Sequence, residues 1–230
     1  MIEEAQGREI AARTAVEIGT VGLGLAIGGP VGALVAAAVK PALELVTLRE
    51  QRGLDNIERI VESVTESTGL SPDELAAWAR STDGRLMLTT NVIQTAYNTL
   101  YEAKVAALAT VLVENLHDEA RLDIGEVTIA ALADLEATHV RVLHAIEGQD
   151  LPRRPDGLDH VPGVAIQAQL EAYFPNLAPG ILPIMAALER HKIVEETMAF
   201  DQDNLSWRVT SFGRRCLAYL VNRPLLRPAS

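Results

Sequence analysis

The chain predicts a mainly α-helical fold on three observations. Apolar residues recur at three-to-four spacing along most of its length, the pattern of amphipathic helices. Hydrophobic residues make up 48% of the chain but aromatic ones only 4%, and Ala and Leu are the best apolar helix formers. Finally, Ile18–Val39 runs for 22 residues without a charge and contains six glycines. Within the helical class, the order expected is a glycine-rich helical hairpin (1–53), a helical middle region (54–120) and a winged-helix-like domain with a small β-hairpin (121–230).

The apolar stretch comes first. About 20 apolar residues cross a bilayer core. Gly28-Gly29-Pro30 interrupts this one with a turn signal, since proline lacks the N–H that a helix interior needs. Two helices are therefore expected, one ending near Ile27 and one carrying Pro30 in its first turn. Each arm is then only about half a span long at ~1.5 Å per residue. Gly24, Gly28 and Gly32 form a small-xxx-small face that allows close backbone approach in a membrane or within a packed core. Both settings remain open. Gly22-x-Gly24 lacks the spacing and the preceding strand of a dinucleotide loop.

A charged lead-in helix (2–17) precedes the stretch. The second arm continues through a kink at Pro41 and ends at Gly53. Leu54, Ile57, Ile60, Val61 and Val64 define the next helix, about 54–67, which Gly69 breaks. Ser71-Pro72-Asp73-Glu74 is a strong helix start, opening a short helix with Leu75 and Trp78. One long helix is expected over Leu86–Leu116. Its apolar face is Leu86, Ile93, Tyr97, Leu100, Leu108 and Val111, with Val105, Leu112 and Leu116 on a second face. Lys104 falls on the first face, which calls for a carboxylate partner or an interface. After a loop at 117–125, a helix over 126–146 is expected to turn His139 toward the core.

The pattern then changes. A Pro/Gly/Asp loop (148–163) leads to helices at about 164–174 and 182–191, separated by a break at Pro175–Gly180. Short strands at 195–200 and 205–210 flank the turn at 201–204, and a last helix covers 211–222. Leu188-Glu189 with Ile193-Val194, Trp207-Arg208-Val209-Thr210, Gly213-Arg214 and Leu217 resemble the LExxGLV, YRLT and xxGRxxL elements of MarR- and PadR-like winged-helix regulators. That resemblance implies DNA contacts, for which Arg190, Lys192, Arg214 and Arg215 are the candidates. The acids Glu195, Glu196, Asp201 and Asp203 in the wing oppose phosphate, and helix-turn-helix proteins read bases from the N-terminal residues of the recognition helix. KPALELVTLREQRGLDNIERIVESV (40–64) and RVTSFG (208–213) also resemble abortive-infection proteins of the Abi-alpha type. This second resemblance implies a phage-defence or toxin-like role with no catalytic residues to carry over.

Charge is uneven. Residues 1–150 hold 11 Lys and Arg against 23 Asp and Glu, whereas 151–230 hold 9 against 8. The first part should repel nucleic acid and anionic lipid at long range. Cys216 alone excludes an intramolecular disulfide and fits a reducing cytoplasm, and the acidic MIEEAQGRE has no export signal's character. Glu114-x-x-His117 and Glu136-x-x-His139 have the spacing of a di-metal helix bundle, but the helical wheel does not bring them together. No phosphate loop, nucleophile elbow or HExxH occurs. The expectation is a non-enzymatic effector without metal or cofactor. It would be cytoplasmic or peripheral at the inner membrane, homo-oligomeric, and bound to a membrane surface or a protein partner. The alternatives are a DNA-binding regulator dimerising through the long helix and a structural adaptor.

Overall fold

A computed structural model describes residues 30–116, 118–148, 151–152, 163–197 and 205–221, with the backbone alone for 30–45 and 119. The lead-in helix, the arm at 18–27 and its turn, His117, most of the 148–163 loop and the wing turn lie outside the described residues. By contacts the chain divides into 1–52 and 53–230. No helix among the described residues is long and apolar enough to cross a membrane.

The structure is mainly helical with a small antiparallel sheet. Helix α1 is described over Pro30–Thr68. It passes through Pro41 and does not end at Gly53. That glycine serves packing instead: a Cβ there would lie 2.5 Å from the Tyr97 ring. The helix stops at Gly69, whose φ of +73° suits glycine. Helix α2 (Pro72–Ala79) starts as expected, with Glu74 N–H on the Ser71 hydroxyl and Ser71 N–H on the Glu74 carboxylate.

The long helix expected over 86–116 is two helices, α3 (Asp83–Asn98) and α4 (Glu102–Leu116). Thr99 is extended between them, and the cause is distant in sequence. Buried Asn56 donates its amide to the carbonyls of Ala96 and Thr99, both at 3.0 Å, satisfying acceptors that a continuous helix would have used itself. The break also changes which face is buried. Leu88, Val92 and Ala96 are in the core, whereas Leu86, Ile93 and Leu100 are 48%, 39% and 67% exposed.

The helix expected over 126–146 is likewise two. A 3₁₀ turn (Glu119–Arg121) leads directly into α5 (Leu122–Asp134), replacing most of the expected loop, and α6 spans Ala137–Glu147. At the break, Leu135 is extended and Glu136 N–H donates to His139 Nδ1 at 3.1 Å. His139 is therefore a half-buried helix-end cap rather than a core residue, which is what its spacing from Glu136 serves.

Residues 164–166 form strand β1, not the first turn of a helix, and α7 follows at Gln167–Tyr173. A 3₁₀ turn (Pro175–Gly180) leads to α8 (Ile181–Arg190), then β2 (Val194–Thr197), β3 (Ser206–Val209) and α9 (Ser211–Val221). The strand order is β1-β3-β2, all antiparallel. One hydrophobic core runs from Ile60 through Leu108, Leu132 and Ile146 to Met185, Cys216 and Leu220, crossing the expected boundary at 120.

Candidate functional site

Two regions gather polar chemistry. The first is the sheet and its flanking helices, where the candidate nucleic-acid contacts lie. Helix α8 buries Ile181, Met185 and Leu188 at i, i+4 and i+7. Its exposed positions are then Leu182, Pro183, Ala186 and Arg190. Reading base edges needs hydrogen-bonding side chains, and this face offers apolar ones until its last turn.

There Arg190 and the ring Nε2 of His191 (2.7 Å) both engage Asp134 at the end of α5. The His191 hydrogen bond, with the Arg190 charge beside it, holds the Asp134 carboxyl below the usual range. Three further arginines are occupied in the same way. Arg214 pairs with Glu147 at 3.0 Å, and Arg208 pairs with Glu195 directly across the sheet. Arg215 Nη2 lies 2.6 Å from Glu114 Oε2, which also accepts the Tyr219 hydroxyl at 2.8 Å and is 3.4 Å from Arg121. Burial, and then that carboxylate, push the Tyr219 phenol up. Lys192, exposed, has no such partner among the described residues. It stands where the LExxGLV pattern has glycine and takes the left-handed conformation, φ 56°, to close α8.

The RVTSFG string is a clamp. Thr210 donates its hydroxyl to the Lys192 carbonyl at 2.7 Å and accepts Gly213 N–H at 2.9 Å. Gly213 packs so tightly on the residue preceding β2 that a Cβ would lie 2.1 Å from the Ile193 carbonyl oxygen. Cys216 packs one turn further along, where burial pushes its thiol up to about 12.

The second region is a groove between α3, the start of α4 and α5. It encloses about 380 Å³, and its lining includes Asn91, Gln94, Thr95, Glu126, Ala130 and Glu136. Lys104 lies at its base, 1% exposed. Its Nζ donates to the Ala133 carbonyl at 2.9 Å and to Glu136 at 3.1 Å. The carboxylate partner foreseen for Lys104 is therefore Glu136, supplied by the α5–α6 break. Nothing in the spacing of residues 91–136 reveals the groove, because it exists only once two helices break and pack.

No family model, curated protein or solved structure matches this chain. The two regions must therefore be read from their own chemistry. Of the remaining candidates, Gly24 and Gly28 lie outside the described residues, and Gly32 lies in the part of α1 described by backbone alone. No group of three metal-ligating side chains occurs among the described residues.

Proposed function

We infer that the protein is a non-enzymatic effector that acts by contact with a membrane surface or a protein partner, as a homo-oligomer. Ile18–Val39 is the contacting element in this reading, Gly24, Gly28 and Gly32 are its packing face, and a phage-defence or toxin-like role is what the Abi-alpha resemblance implies. The observation that carries the partner-contact reading over a DNA-binding one is the pairing of Arg190, Arg208, Arg214 and Arg215 with the protein's own carboxylates. A phosphate backbone must compete for these cations, and non-specific DNA affinity comes almost wholly from such neutralisation.

The test is flotation of the full chain with neutral and anionic liposomes, beside a variant lacking residues 18–39. The parent floats and the deletion does not. Replacing Gly28 and Gly32 by leucine abolishes flotation as well. A parent that stays at the bottom of the gradient with both lipid compositions ends the membrane half of this reading.

A specific observation favours a second reading, a winged-helix regulator. What supports it is the order α6, β1, α7, α8, β2, β3 with an antiparallel β1-β3-β2 sheet, which is compatible with a winged helix; in this reading α8 would be the recognition helix. On that reading, neutralising Arg190, Lys192, Arg214 and Arg215 weakens duplex DNA binding and lowers its salt dependence. A parent with no salt-dependent affinity for mixed-sequence DNA rules it out.

A further inference from the structure

We propose that the groove between α3, α4 and α5 is a docking site for a basic side chain, arginine before lysine, presented by a partner polypeptide. This goes beyond the membrane-contact reading and does not depend on residues 18–39, because every residue it uses lies between Asn91 and Glu136.

Charge decides the sign of the ligand. The groove contains one cation, Lys104, and two carboxylates, Glu126 and Glu136. Lys104 is sealed from solvent and already matched to Glu136, so an incoming anion meets no free ammonium. Glu126 is half-buried and has no ion pair or hydrogen bond among the described residues. The local balance is therefore one unmatched negative charge, inside a stretch (1–150) where acids outnumber bases 23 to 11.

Hydrogen-bonding geometry selects the cation. The side chains of Asn91, Gln94 and Thr95 along α3 also lack partners among the described residues, and each has an oxygen that accepts. A guanidinium has five N–H donors and no acceptor, so a wall of carboxylate, amide and hydroxyl oxygens suits it. Beneath that wall, Ile129, Ala130 and Ala133 offer an apolar floor for the methylene stem of a long basic side chain. A simple metal cation has no use for this floor.

The test uses the full chain, isotopically labelled, titrated with N-acetyl-arginine N-methylamide and followed by amide NMR. Saturable shifts are expected at the side-chain amides of Asn91 and Gln94 and along 126–136. The neutral citrulline analogue leaves them in place. Glu126→Gln weakens binding at least about fivefold by removing the charge-assisted bond. Ala130→Trp, at an exposed position, fills the groove and abolishes binding while the rest of the spectrum stays folded. The proposal is overturned if the shifts map elsewhere, if citrulline binds equally, or if both variants, folded, bind like the parent. Groove shifts with N-acetyl-glutamate or with spermidine, and none with the arginine amide, overturn it in favour of an anion or a free polyamine.

Discussion

The groove at α3–α5 and the sheet module at α8–α9 use the same kinds of side chain to opposite ends. In the module, arginines and acids meet one another: Arg190 with Asp134, Arg208 with Glu195, Arg214 with Glu147, Arg215 with Glu114. In the groove, Asn91, Gln94, Thr95 and Glu126 have no such partners among the described residues and surround a sealed lysine. Polar groups that satisfy each other fix the packing of elements. Groups left unsatisfied at a concave surface are available to a ligand. The contrast teaches that a motif's residue types do not say which of these roles they play. The candidate DNA-binding arginines are mostly fasteners, whereas a region without a recognisable motif holds the open chemistry.

The most severe way to break the closed region is Gly213→Ala. The added methyl meets a backbone carbonyl, which cannot rotate away, so a loss of at least about 3 kcal/mol is expected in urea unfolding. An unchanged midpoint would show that β2 and α9 can separate freely. In the open region the corresponding test is Lys104→Met, which keeps the aliphatic volume but removes both hydrogen bonds at the α5–α6 break. About 1–3 kcal/mol should be lost, mostly from the Ala133 carbonyl left without its donor. Groove binding of the arginine amide should survive, since Lys104 is not the ligand's partner.

Cys216 sharpens the contrast from the core side. With its thiol fully buried and pushed up to about 12, it should react with a disulfide reagent at pH 8 only as fast as the protein opens. Rapid labelling would mean that the α9 packing is loose.

Asp134 gives a smaller, pH-dependent effect. Its folded pKa is lowered, so its contribution is fully present above the ordinary carboxylate range and is lost as pH falls through the folded value. Because the carboxylate is half-exposed, solvent screening keeps that contribution within about 1 kcal/mol. Asp134→Asn should lower neutral-pH stability by up to about 1 kcal/mol, leave stability at acid pH almost unchanged, and so flatten the acid side of the profile. The smallest effect is a gain. Lys192→Gly removes a left-handed non-glycine residue at an exposed site and should stabilise by about 0.5 kcal/mol.

Much of the chain's local structure is legible without coordinates. Apolar spacing and the Ser71 cap place α2 within a residue. Leu182–His191 and Ser211–Asn222 anticipate α8 and α9 almost as closely, because an amphipathic face is a short-range property. The need of Lys104 for a partner was legible too, since a cation on an apolar face is costly unless paired. What the tertiary structure alone decided are the breaks at Thr99 and Leu135, and with them the groove. Periodicity treats 86–116 and 126–146 as continuous. It cannot register that an amide from Asn56 caps one carbonyl end, or that an ammonium from Lys104 caps the other. These hydrogen bonds join residues some thirty to forty positions apart, and they become worth more than helix continuation only after burial removes water as the competing partner.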